Sequence, residues 1–136
     1  MKKVRSKVAS KPSMHNWNTL PREVLGKAGS RVGFRGENTM FVMNFISPGI
    51  KTRPHTHDFE QIVICVEGRM NYYVGEQVFE MTAGSMICVP PHTEHFVEVL
   101  GDEVALNLDV FPSIREDYRH LVDHQAHEFG ESARPS

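Results

Sequence analysis

The run GIKTRPHTHDFEQIVICVEG, residues 49–68, decides how the chain is read. His55 and His57 stand one residue apart, and Gln61 follows four positions on. Residues i and i+2 of an extended strand face the same way, so the two imidazoles can grip one ion. Gln61 opens an apolar run over 61–66, and its amide oxygen offers a third donor from a neighbouring strand. The later run GSMICVPPHTEH places His95 behind a second apolar strand and a Pro-Pro turn, where it offers a fourth. Three imidazoles and one oxygen suit a single divalent first-row metal: Fe, Mn, Ni, Cu or Zn. Glu60 is a rival carboxylate that strand alternation turns away from Gln61. Cys65 shares the parity of Gln61 but lies ~13 Å farther along the strand at ~3.3 Å per residue, so it reads as core.

Outward from this run the chain reads as strands. Met40–Ile46 is apolar and stops at Ser47-Pro48-Gly49, a turn signal. Residues 70–74 and 77–81 flank Gly75-Glu76, a pair suited to a two-residue hairpin. Residues 85–89 and 96–100 flank the turn at 90–95, and 104–111 is the last long strand. Short strands with turns about every eight to twelve residues predict an all-β sandwich or barrel. Before the strands, a proline at the head of 21–25 predicts one helical turn. The four glycines of 26–36 read as loops around one short strand. After the strands, 113–123 reads as helix.

In LNLDVF, residues 106–111, Asp109 interrupts an apolar strand. A carboxylate inside a barrel is costly unless it is paired or working. Alternation puts Asn107, Asp109 and Phe111 on one face and Leu106, Leu108 and Val110 on the other. If the first face lines the cavity of His95, Asp109 is a natural general acid or base; an outward-facing Asp109 is the alternative. His120 and His124, one helical turn apart beside Asp123 and His127, read as an exposed helix face rather than a second metal site.

Length and composition bound the rest. A chain of 136 residues makes one domain, expected over 14–126. Residues 1–13 carry Lys2, Lys3, Arg5, Lys7 and Lys11 with no acid or interleaved aromatic, as in a flexible tail. A second flexible tail is expected over 127–136. A net charge of -2 and a pI near 6.4 give no general attraction to nucleic acid or anionic membrane. Cys65 and Cys88 sit in apolar runs, which argues for free thiols in a reducing cytoplasm. No apolar stretch nears the ~18–20 residues that span a bilayer, and the N-terminus lacks a signal-peptide core.

The two histidine runs resemble the two motifs of the cupin superfamily. Gly49, His55, His57, Gln61 and Gly68 fall on the first, G-x5-H-x-H-x3-E-x6-G, with Gln61 in place of the Glu. Gly84, Pro90 and His95 fall on the second, G-x5-P-x-G-x2-H-x3-N, with His92 for the Gly and Val99 for the Asn. Residues 69–83 separate the motifs. The resemblance implies a double-stranded β-helix, or jelly roll, over roughly 32–111, with a short C-terminal helix. It also makes His92 a turn residue in a position that often needs positive φ.

The run DVFPSIREDY, residues 109–118, is similar to the closing segment of small pectin-degradation cupins. Those metalloenzymes convert 4,5-unsaturated uronates into linear keto forms. The similarity implies a metal on His55, His57, Gln61 and His95, and a site that uses Asp109, Phe111 and Arg115. It implies proton transfer of keto–enol type on a small carbonyl compound or sugar acid. The metal would polarise the substrate oxygen, Asp109 would move the proton, and Arg115, with Arg53, would bind a carboxylate. A dioxygenase using Fe(II) or another redox metal has the same ligands and is the alternative. A non-catalytic small-molecule-binding barrel is the third reading. The expected partners are an anionic carbonyl substrate and a second copy of the chain, because a small jelly roll leaves sheet edges to cover. Trp17 is placed either on the barrel exterior or across that partner.

Overall fold

The computed structural model describes residues 12–131, so the basic tail expected at 1–13 lies almost wholly outside the described residues. The described chain forms β1 (Glu23–Val24), β2 (Gly29–Arg35), β3 (Met40–Ile46), β4 (Gln61–Glu67), β5 (Arg69–Val74), β6 (Gln77–Met81), β7 (Met86–Val89), β8 (His95–Leu100) and β9 (Ala105–Phe111). A helix, Glu116–Phe129, closes it. The strands make two antiparallel sheets, β1-β2-β3-β9-β4-β7 and β6-β5-β8. This is the jelly roll with a short C-terminal helix.

Alternation along the strands sorts inside from outside. Val63 and Cys65 of β4 and Ala105 of β9 point inward, meeting Met70, Tyr72, Val97 and Val99 of the small sheet in one buried cluster. Leu106, Leu108 and Val110 of β9 point outward and pack with Val32, Phe34, Met43 and Leu20. Trp17 packs there too, lining an apolar cavity of about 170 Å³ with Leu20, Val32 and Met43. β9 lies between β3 and β4, with Asp109 opposite Val42 on one side and Val63 on the other. The carboxylate is therefore carried on a central strand of the larger sheet.

Three expectations are corrected. Residues 26–36 are not loops around a short strand, since β2 pairs with β3 over its full seven residues. Its Gly33 answers a close approach: a Cβ there would lie 2.7 Å from Leu121 Cβ on the helix. Residues 21–25 form no helical turn; Glu23 and Val24 pair with Arg31 and Ser30 as β1, and a 3-10 turn follows at Gly26–Ala28. The helix starts at Glu116 and kinks at Val122. It runs past Asp123 to Phe129, which is buried. Gly130 ends it in the left-handed conformation that favours glycine.

Gln125 fastens this helix to the sheet. It is fully buried; its Oε1 accepts the Arg35 N–H at 2.9 Å and its Nε2 donates to the Arg35 carbonyl at 3.0 Å. The side-chain amide thus stands in for the strand that β2 lacks beyond β1. Replacing Gln125 by Leu strands two buried backbone groups, each worth about 1–3 kcal/mol. The expected loss is about 2–5 kcal/mol of unfolding free energy, read from the shift in urea midpoint at unchanged slope.

Candidate metal centre

The two histidine runs are tied together through the backbone before any side chain is considered. His55 and His95 form an isolated antiparallel bridge, with N–H···O distances of 3.1 and 2.9 Å. The His92 N–H donates to the His57 carbonyl at 2.7 Å. His92 has φ of 63°, the positive value the turn requires. The 90–95 turn therefore carries His95 to the loop that holds His55 and His57.

Each imidazole is then aimed by a backbone carbonyl. Nδ1 of His55 meets Arg53 O at 3.1 Å, Nδ1 of His57 meets Phe59 O at 2.8 Å, and Nδ1 of His95 meets Thr93 O at 2.8 Å. A carbonyl only accepts, so each Nδ1 carries the proton and each Nε2 offers a lone pair. One ligand atom from each of the three rings lies within 4.8 Å of the others. Among the described residues this is the only such cluster of three or more.

Two observations test whether the cluster fits a cation. His95 Nε2 is buried with no hydrogen-bond partner, which is costly for a polar atom unless something binds it. His57 Nε2 faces Gln61 Oε1 at 2.9 Å. With Nδ1 donating to Phe59, the facing pair is satisfied by a proton on Nε2 or by a metal ion that both atoms ligate. Two donors about 2.0–2.2 Å from one ion stand about 3 Å apart when they subtend a right angle. Burial holds the His95 imidazole down at about 4, against the pull of Thr93 O, with His55, His57 and Arg115 adding to the depression. His95 is therefore neutral at physiological pH, which is the form that ligates. Three neutral nitrogens and an amide oxygen fit a divalent first-row ion.

Gln61 is held in turn. It lies diagonal to Asp109 across the β4–β9 ladder, and its Nε2 donates to Asp109 Oδ1 at 2.9 Å, which turns its Oε1 toward His57. Asn107 Nδ2 donates to the same Oδ1 at 2.7 Å, and Asn44 Nδ2 donates to Oδ2 at 3.0 Å. Burial pushes Asp109 up to about 6, while the three amides and Arg115 pull it down.

Asp109 faces inward, as alternation required of the first reading, and lines a cavity of about 260 Å³ with His55, Gln61, Tyr72, Arg31 and Arg115. Phe111 is buried with its ring edge-on to His57 and Phe59. Phe59 stacks on His57 with centroids 4.1 Å apart, and Tyr72 lies nearly parallel to His95 at 6.4 Å. Arg115 lies over Tyr118 at 3.9 Å and gives Nε and Nη2 to Asp117. Arg53 lines the cavity from the exposed rim. Glu60 is exposed on the far side of the strand beside Cys88, and both cysteines are free.

Sequence reasoning passed over Arg31, Asn44, Phe59, Tyr72 and Tyr118. Phe59 carried a signal, an aromatic two residues after His57; the others come together only through strand pairing. His120 and His124 are not a metal site, and they serve the packing of the helix on the sheet. His120 Nε2 meets Glu23 Oε2 at 3.0 Å and His124 Nε2 donates to Gly33 O at 2.9 Å.

Known proteins bear on the fold. A cupin from Shewanella frigidimarina described as RmlC-like superposes with a TM-score of 0.71 at 24% identity, over 79% of this chain and 96% of that one. KdgF from a Halomonas species gives 0.72 at 21% identity, over 79% and 98%. The oxalate decarboxylase–formate complex of Lactobacillus farciminis gives 0.64 at 21% identity, over 76% of this chain and 35% of that one. No curated protein sequence matches the chain. The pattern of the cupin domain matches residues 42–111, more than half of the chain and the span that carries every candidate metal donor. With that match on this double sheet, the chain belongs to the cupin family.

Proposed function

We propose that the protein is a metal-dependent enzyme that moves a proton on a small carbonyl compound or sugar acid, in an isomerisation of keto–enol type. The observation that carries this reading is the line from Asp109 through Gln61 to His57. A candidate proton carrier and a candidate ion site share one hydrogen-bonded amide and face one cavity. KdgF stands among the structural neighbours, and the similarity of residues 109–118 to the pectin-degradation cupins is in keeping with a sugar acid.

His55, His57, His95 and Gln61 would hold one divalent ion, which when bound supplies Lewis acidity to a substrate oxygen. Asp109 exchanges the proton. Its Oδ1 already accepts two amide donors and its Oδ2 only one, so Oδ2 is the atom with room for a proton. A carboxyl near 6 is present in both protonation states at neutral pH, as a group that gives and takes a proton needs to be. The enol hydroxyl loses a proton and the adjacent carbon gains one, so no oxidant or reductant enters. Phe59 and Phe111 keep water from the histidine side, and the cavity arginines bind the acid.

Metal content follows first. Protein prepared without chelator should carry one divalent transition-metal ion per chain, and the ion at a hundred times its dissociation constant should stabilise the fold by about 2.7 kcal/mol. A His55→Ala/His57→Ala double variant should show neither the metal by elemental analysis nor the rise in melting temperature. Gln61→Glu should keep the metal. Full metal retention in the double variant overturns the site.

Turnover follows second. Metal-loaded protein should catalyse exchange of the C–H next to the carbonyl of small keto acids with solvent deuterium, without consuming oxygen. Asp109→Asn should slow that exchange by about 10²–10⁴ at saturating metal. It should keep the metal, because one amide oxygen at the Oδ1 position can still accept from Gln61 and Asn107. Exchange unaffected by Asp109→Asn sinks the mechanism, and oxygen uptake in step with turnover gives the dioxygenase reading its place.

A further inference from the structure

We infer that Arg31, rather than Arg115 alone, anchors the anionic end of the ligand in this cavity. The inference rests on the reading of the cavity as a site for a small acid. Arg115 is the arginine that the sequence offers, yet its fork is already engaged: Nε and Nη2 hold Asp117 at 3.1 and 2.6 Å. Arg31 donates from Nε alone, to Glu23 Oε1 at 2.6 Å. Among the described residues its Nη1 and Nη2 have no hydrogen-bond partner, and these are the pair that meets a carboxylate end-on.

Its placement suits the task. Arg31 lies opposite Asn44 in the β2–β3 ladder, and Asn44 is the residue that holds Asp109 Oδ2. Both line the cavity. Arg31 and Arg115 both lie over the Tyr118 ring, at 4.6 and 3.9 Å, so the guanidinium is fixed by a stack as well as by Glu23. Its side chain is only 18% exposed. Arg53 is exposed on a loop, and its ordering would cost the ligand side-chain entropy that the fixed Arg31 does not demand.

The sheet order sets the distance. β2 and β4 are separated by β3 and β9, so their strands lie about 14 Å apart at about 4.8 Å per step, and Gln61 lies a further four residues along β4 from Cys65, which shares the register of Arg31. A carboxylate on Arg31 would therefore direct the rest of the ligand across the cavity toward Gln61 and the histidines. A cavity of about 260 Å³ has room for one small molecule. The class is a small monocarboxylate, such as a sugar acid.

Calorimetric titration of the metal-loaded protein with D-glucuronate, and with glucose as the neutral probe of the same ring, tests the inference. The wild type should prefer the acid by about tenfold or more, the worth of a charge-assisted pair. Arg31→Gln should lose that preference, Arg31→Lys should keep part of it, and Arg115→Gln should lose less than Arg31→Gln. Glu23→Gln, which frees Nε without removing the guanidinium, should leave the preference in place. Preference that survives Arg31→Gln, or that falls as far in Glu23→Gln, overturns the role of Arg31 and leaves the acid site standing. A wild type that binds glucuronate no better than glucose, or binds neither, removes the acid site and the role of Arg31 together.

Discussion

A carboxylate on a central strand has to be answered by hydrogen-bond donors, and the way Asp109 is answered orders most of the cavity. Three amides converge on it from three strands: Asn44 on β3, Asn107 on β9 and Gln61 on β4. Leaving any of those positions apolar would expose a buried charge at a cost of several kcal/mol. The same three bonds fix which end of each amide faces where. Gln61 cannot spend its Nε2 on Asp109 and also turn that nitrogen to His57, so its oxygen faces the histidines. The polarity of the metal side is thus set one residue away from it.

The opposite wall is set by the backbone. The His55–His95 bridge joins the loop before β4 to the start of β8, and so links the large sheet to the small one where the side chains must converge. The carbonyls of Arg53, Phe59 and Thr93 then do for the imidazoles what Asp109 does for Gln61. Each ring is oriented by a group two residues from it, so the orientation is local and needs little from the distant fold. What the fold supplies is burial, and burial keeps His95 neutral.

This division explains how much could be read from the sequence. His55, His57 and His95 are legible because their aim depends on i, i+2 spacing and on a turn marked by Pro90 and Pro91. The inward face of β9 is legible because alternation around Asp109 has only two solutions. Strand β2 was expected to be short because its glycines signal loops, whereas Gly33 is there to let Leu121 approach. Gln125 and Asn44 are isolated amides in the sequence, and only pairing between distant segments gives them partners. Arg31 belongs to the same class: nothing within ten residues of it indicates a cavity that closes around residues 109–118.

Arg31 and Arg115 each carry an acid, Glu23 and Asp117, so the pair brings little net charge to the cavity. Arginine tolerates this arrangement where lysine would not, because a planar fork can serve one carboxylate and still present free N–H groups to another. The two cations sit on one aromatic ring, Tyr118, each with its own acid. In the proposed reading a ligand acid meets the fixed donors of Arg31 in the same cavity that Asp109 and His55 line. Orientation then comes from where the strands place their polar side chains.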